Sequence, residues 1–250
     1  MIRPHLRYRT SNPALNTNTF KSLSSSNSFN LDQKMTIKGT VDKTAICLIL
    51  LSIPAYYVFN SGSVGFAIPA GFFGFLLFMV TIFNRKWSQY TVPAYSVAQG
   101  FFLGGVSYYF NQSYEGIVLQ SISLTISILF SLLFAYRAKI IKPTENFKLG
   151  LFAALVGIFL LYGANFVMSF FGSGIPLLDI NNSSNFSIGV SLFIVVIASL
   201  NLVIDFDFIE EGSEIGAPKY MEWYGAFGLL VTLIWLYLEI LRMLAKMRNR

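Results

Sequence analysis

Apolar residues along this chain gather into seven long runs, at about 44–60, 64–83, 91–110, 116–136, 149–171, 187–208 and 223–244, with short polar connections between them. A run near twenty residues, wound as an α-helix, matches the hydrocarbon thickness of a bilayer. Lipid offers no water to the backbone, so helices that bond internally are the natural way to cross it. The pattern therefore predicts an all-α polytopic membrane protein, with a domain of seven transmembrane helices over 44–250. The first run is short and holds Pro54, so it is expected to be tilted or kinked. Residues 1–43 read differently. They are rich in Ser, Asn and Thr with scattered Lys and Arg, too polar to offset the entropy of ordering, and are expected to form a flexible basic cytoplasmic tail. Residues 1–40 also lack the apolar stretch of a secretory signal.

Composition agrees with lipid as the solvent. Only 12% of residues are charged and 54% are hydrophobic, where a soluble domain carries charge on about a quarter. No large soluble domain is expected. Orientation follows from the connections. Arg85 and Lys86 lie in the second, and Arg137, Lys139, Lys142 and Lys148 in the fourth, while the first is uncharged. Basic residues thus mark alternate connections together with the tail, which puts the N-terminus in the cytoplasm. One stretch opposes this: with seven full spans, RMLAKMRNR with Arg242, Lys246, Arg248 and Arg250 emerges on the outer side. Either the last segment re-enters or the first helices dominate, and seven spans is the reading kept. The net charge of +6 raises the question of nucleic acid. Nothing beyond charge supports that partner, and a basic tail beside a membrane domain fits attraction to anionic lipid.

The residues that chemistry would need are few. Cys47 is the single cysteine and sits inside the first run, so no intrachain disulfide forms; the single histidine, His5, is in the tail. Histidine-based catalysis has no residue in the membrane domain to build on, and Cys/His zinc spacings and phosphate-binding glycine loops are missing. The chain is not expected to be an enzyme or to hold a resident cofactor, and no metal-ligand set is read. What stands out is acid. Six of the chain's twelve carboxylates, Asp205, Asp207, Glu210, Glu211, Glu214 and Glu222, fall within residues 205–222, and Glu239 lies well inside the last run. A carboxylate in hydrocarbon is costly and marks a functional site when a partner or water-filled cavity goes with it. Gly225, Gly228, Thr232, Trp235, Glu239, Arg242 and Lys246 follow steps of three and four along one helix face. On this evidence Glu239 either faces a wet cavity or pairs with Arg242 at i+3. Asn201 and Asp205 share a face of the sixth run and form a candidate pore-facing lining. Asp207, Glu210, Glu211 and Glu214 read as a solvated acidic cytoplasmic mouth, which would also concentrate a hard cation such as calcium. Gly71, Gly74, Gly100, Gly104, Gly105, Gly157 and Gly163 recur at helix-face spacing and are expected to let backbones pack closely.

Four stretches carry a family resemblance. Ala98–Gln99–Gly100–Phe101–Phe102–Leu103–Gly104 is similar to the EGxxLG-type stretch of the Bax inhibitor-1 (YccA-like, transmembrane Bax-inhibitor-motif) family. GIVLQSISLT at 116–125 resembles its fourth span, IDFDFIEEG at 204–212 its YDxxxI segment, and LYLEILRML at 236–244 its LYLDxxNLF segment. The likeness covers spans three to seven well, and the closest branch is bacterial. It implies six helices packed around a central seventh, and a proton-sensitive calcium leak in the bacterial inner membrane. In that scheme a carboxyl from the sixth helix and one from the seventh share a proton and close the pore, and an arginine of the second helix latches onto them. Asp205 takes the first acid's place, Glu239 the second's, and Arg85 the latch's; Gln99 stands where the family has an acid and is, with Asn201, a candidate pore-facing polar residue. Two close carboxyls in low dielectric cannot both ionise cheaply, so opening with rising pH is the expected sign.

The spacing departs from the family. Asp205 and Glu239 are 34 residues apart, roughly ten more than its pattern. An antiparallel turn near 212–218 would set Asp205 level with about Gly225 and Glu239 about 20 Å deeper at ~1.5 Å per residue. Bringing them together requires residues 216–227 to be re-entrant or broken; otherwise Glu222 is better placed to meet Asp205 or Asp207. Two further classes of function stand beside the leak: a non-transporting regulator of another membrane protein, such as a membrane protease, and a proton-coupled small-solute transporter. The absence of an internal repeat speaks against the transporter.

Overall fold

The computed structural model describes residues 34–172 and 174–250, so residues 1–33 of the expected tail lie outside the described residues. Regular structure there is helical. It comprises α1 (Ile37–Ser61), α2 (Ala67–Phe83), α3 (Ser88–Ser113), α4 (Ile117–Arg137), α5 (Glu145–Ser169), α6 (Asn185–Glu214) and α7 (Met221–Arg248), with single 3₁₀ turns at Val64–Phe66, Arg85–Trp87 and Pro176–Leu178. The chain is therefore an all-α polytopic membrane protein. Among the described residues six helices are long and apolar enough to cross a bilayer; α3 falls short of the apolar standard. Its sequence explains why: Ser88, Thr91, Ser96 and Ser107, together with Gly100, Gly104 and Gly105, are all buried, so its polar and small residues are turned inward.

The first helix begins earlier than its apolar run. Thr36 is extended and its side-chain hydroxyl accepts from the Gly39 N–H, an N-cap that starts α1 at Ile37. Residues 37–43, expected in the tail, are thus the first two turns of a helix. At the far end Gly62, with φ of +66°, closes α1 in the left-handed conformation that glycine adopts without strain. The last helix runs unbroken from Met221, so residues 221–227 form its first turns rather than a re-entrant stretch.

The described chain divides into two compact units. One holds residues 114–204 and 232–250, the other residues up to 113 with 205–231. In the second, α3 packs closely on α1 and α2. A side-chain carbon on Gly104 would stand 2.6 Å from the Ala55 carbonyl and 2.9 Å from Val58 Cβ, and one on Gly71 would meet the Phe102 ring at 2.8 Å. Gly100 and Gly105 are equally tight against α1 and the start of α2. Phe78, Tyr95, Tyr224 and Phe227 form an aromatic cluster, with the Tyr95 and Phe227 centroids 5.2 Å apart, edge to face. The first unit is built on Leu151, Ile158, Leu178, Ile194, Ile197 and Ile204, with Tyr162 and Trp235 packed against them. Gly157 and Gly163, on α5, have no neighbour within contact, so close packing does not account for those two.

Burial ranks the helices. The apolar stretch of α7 is 61% buried and that of α6 56%, against 11–17% for α1, α2, α4 and α5. The seventh helix is the most enclosed, as expected, and the sixth is nearly so. The other four present bare faces of Ile, Leu and Phe, such as Ile68, Phe83, Phe159 and Phe171, which lipid would cover.

Candidate functional site

The acids that stand out in the sequence divide between the two units. In the second, Asp205 is wholly buried on α6, with Leu202, Val203, Ile204 and Phe206 buried around it in sequence. Asp207 and Glu211 are half-buried, while Glu210 and Glu214 are exposed. A carboxylate-bearing helix end of this kind grades from apolar interior to water within three turns. The α6 helix stops where Gly216 takes φ of +66°, with the Ala217 N–H bonded back to the Gly212 carbonyl.

Glu222, in the first turn of α7, is wholly buried and strongly held. Its Oε1 accepts from the Thr36 N–H at 3.0 Å and the Thr36 hydroxyl at 2.9 Å, while the Lys43 ammonium lies 2.6 Å from Oε2 and the Lys219 ammonium 3.1 Å from Oε1. Gly39 has to be glycine for this: a side-chain carbon there would overlap the carboxylate. The segment entering α1 is tied to the same region by the Met35 N–H on the Ala217 carbonyl at 2.6 Å and an isolated antiparallel bridge between Lys34 and Pro218. Met35 itself is buried. The sequence offered Glu222 as a companion for Asp205 or Asp207; the structure fills its oxygens with donors from the α1 entry and the α6–α7 connection. Arg85, the candidate latch, stands over the Tyr224 ring at 5.8 Å. Nearby, burial pushes the Tyr220 phenol up, with the Arg85 charge pulling the other way. Ser88 donates to the Tyr220 carbonyl at 2.9 Å, holding the connection in place.

In the first unit the polar face of α7 is real and continuous. Asn201 Nδ2 donates to the Thr232 hydroxyl at 3.0 Å, leaving the buried Oδ1 without a hydrogen-bond partner. Glu239, 3% exposed, accepts from the Tyr162 hydroxyl at 2.7 Å and the Trp235 indole at 3.1 Å, and lies 3.4 Å from the Arg242 guanidinium. Arg242 also donates to the Tyr162 oxygen at 2.7 Å and stacks over its ring. One turn on, Lys246 is wholly buried, its ammonium bonded to the Leu177 carbonyl at 2.7 Å and the Ser187 hydroxyl at 2.8 Å. The i+3 pairing of Glu239 with Arg242 thus exists, but as part of a larger network. Continuous helix runs from Glu222 to Glu239, a rise of about 25 Å at ~1.5 Å per residue, so the two acids of α7 serve separate clusters. Gln99, the other polar candidate, is half-buried on α3 with its amide beside Gly74 of α2.

Sequence reasoning missed Tyr162, Thr36, Lys43 and Ser187. Tyr162 left a faint signal, a phenol deep in the apolar run 149–171 that a buried setting obliges to find a partner. Thr36 and Lys43 left none, because they lay in what read as tail. Among the described residues no group of three or more His, Cys, Asp or Glu side chains is arranged to hold a metal ion. Compared with known proteins, no curated protein and no solved structure matches the chain. A family model does: that described as Bax inhibitor 1 like, over residues 12–249.

Proposed function

The chain belongs to the Bax inhibitor 1 like family, and on that premise we propose that it is a pH-sensitive cation leak, with calcium as the permeant ion, in the inner membrane of a bacterium, its N-terminus in the cytoplasm. The observation that carries the reading is Asp205, an acid wholly buried in the C-terminal third of α6. A carboxyl in such a place changes its charge only by exchanging a proton, and a change of charge inside a helix bundle alters both helix repulsion and the welcome given to a cation. In this reading the protonated acid keeps the path shut, and loss of the proton as pH climbs opens it. Glu222, in the first turn of α7, and Glu239, well inside it, are held by donors of their own clusters, and the half-buried Asp207 and Glu211 with the exposed Glu210 and Glu214 draw the ion to the mouth.

The test is a pH-jump flux assay on proteoliposomes loaded with a calcium indicator. Calcium entry should increase as pH is raised through the physiological range, and Asp205→Asn should flatten that dependence. No calcium movement at any pH, or an unchanged profile in the variant, overturns the reading.

A further inference from the structure

We infer that Lys246, assisted by Arg242, is an electrostatic bar that opposes cations along the buried polar face of α7 within the first unit; this rests on the leak proposed above. The argument begins with charge. Thr232, Trp235, Glu239, Arg242 and Lys246 share one face, and through Asn201, Tyr162, Ser187 and Leu177 they form a polar column within the first unit. Along it run two cations and one anion. Arg242 is matched by Glu239 at 3.4 Å. Lys246 is not matched in that way, because both groups bonded to its ammonium, a carbonyl and a hydroxyl, are neutral. The Asp179 and Glu239 carboxylates act on the ammonium only from a distance: Asp179 stands exposed on the α5–α6 connection, bonded to the Asn181 amides, and Glu239 is paired with Arg242.

A wholly buried ammonium is expensive, and its four methylenes would be packed as well by an apolar side chain. What the charge adds is potential. In a medium of low dielectric a fixed unit charge acts over several ångströms, and it repels a divalent cation twice as strongly as a monovalent one. Pores that exclude cations use an arginine or lysine in this manner. The tie to Ser187 and Leu177 positions the ammonium; the charge is the working part.

The full-length protein in liposomes distinguishes charge from packing. Lys246→Gln, which keeps a donor for Leu177 and Ser187 but loses the charge, should raise calcium flux at a pH where the unaltered protein is nearly closed by roughly tenfold, with chloride flux unchanged. Lys246→Arg should behave as the parent. Ser187→Ala, which cuts the tie and keeps the charge, should not raise flux, although a structural role predicts that it would. If Lys246→Gln fails to assemble, Lys246→Met replaces it with the same expectation. Calcium flux equal to the parent's, or calcium and chloride rising together, overturns the inference while the leak stands. Absence of calcium flux in parent and variants at every pH overturns the leak itself, and this inference with it.

Discussion

Replacing Glu222 by Gln removes one charge and almost no volume, and it should cost the protein much of its stability. The carboxylate is wholly buried and receives two donors from Thr36 and two ammonium groups. The amide keeps an oxygen for Thr36, so those bonds weaken rather than vanish. The Lys43 ammonium at 2.6 Å, on a side chain 19% exposed, loses a charge-assisted bond worth about 1.5–3 kcal/mol. Lys219 is half-exposed, and its share is at most about 1 kcal/mol. The sum, about 3 kcal/mol, corresponds to a fall in Tm on the order of 6–12 °C for a chain of this size. A thermal scan in detergent reads it directly. A double-mutant cycle with Lys43→Met supplies the sharper number, since a direct pair should give a coupling of at least about 1 kcal/mol. Additive effects of the two substitutions, or a Tm change within the error of the scan, would refute the reasoning. Steric evidence is independent of charge: Gly39→Val drives a branched side chain into the Glu222 carboxylate and should be at least as damaging.

Two further outcomes are expected. Gly104→Leu should prevent the close approach of α3 to Ala55 and Val58 and leave little protein in the membrane, whereas Gly157→Ala, at an open helical position, should be neutral or stabilise by about 0.5–1 kcal/mol; expression and thermal scans of the pair report both. Tyr162→Phe deletes the hydroxyl that donates to Glu239 and accepts from Arg242, and should destabilise by about 1–3 kcal/mol, with Phe at 162 retaining the ring packing; an unchanged Tm would show that the network carries no net stability.

The number and order of the helices were legible because lipid imposes a length and forbids unpaired backbone. The start of α1 was not, because an N-cap is a local event: Thr36 and Gly39 sit among polar residues that look like tail until Glu222, far away in sequence, is brought beside them. The glycines show the same divide. Spacing on a helix face marked all seven alike, yet Gly71, Gly100, Gly104 and Gly105 meet neighbours and Gly157 and Gly163 meet none, since spacing describes one helix and packing needs two. The acids were visible as a departure from hydrocarbon, and their burial could be guessed. Their partners could not, because Tyr162 and Lys43 come from α5 and α1, and nothing along α7 announces which neighbouring helix will supply a donor.

The basic C-terminus, which opposed the orientation taken from the other connections, can now be weighed charge by charge. The positive-inside bias counts residues free to interact with lipid headgroups and the insertion machinery near the ends of spans. Arg242 is bound to Glu239 and Tyr162, and Lys246 to Ser187 and the Leu177 carbonyl. Arg248, although exposed, donates to the Glu115 carbonyl at 2.6 Å and to Gln120 at 2.9 Å, while Asn249 reaches Tyr114 and Ile180. Three of the four charges are therefore engaged with side chains and carbonyls of their own unit, on α4, α5, α6 and α7 and on the connections before α4 and before α6. Residues bound in this way fasten the last helix in place, and they weigh less in the balance than Lys86, Arg137, Lys139 and Lys142 on the alternate connections. The apparent conflict comes from counting a helix's internal fastenings as if they were loop charges, and with that removed the proposed cytoplasmic N-terminus is consistent with seven helices.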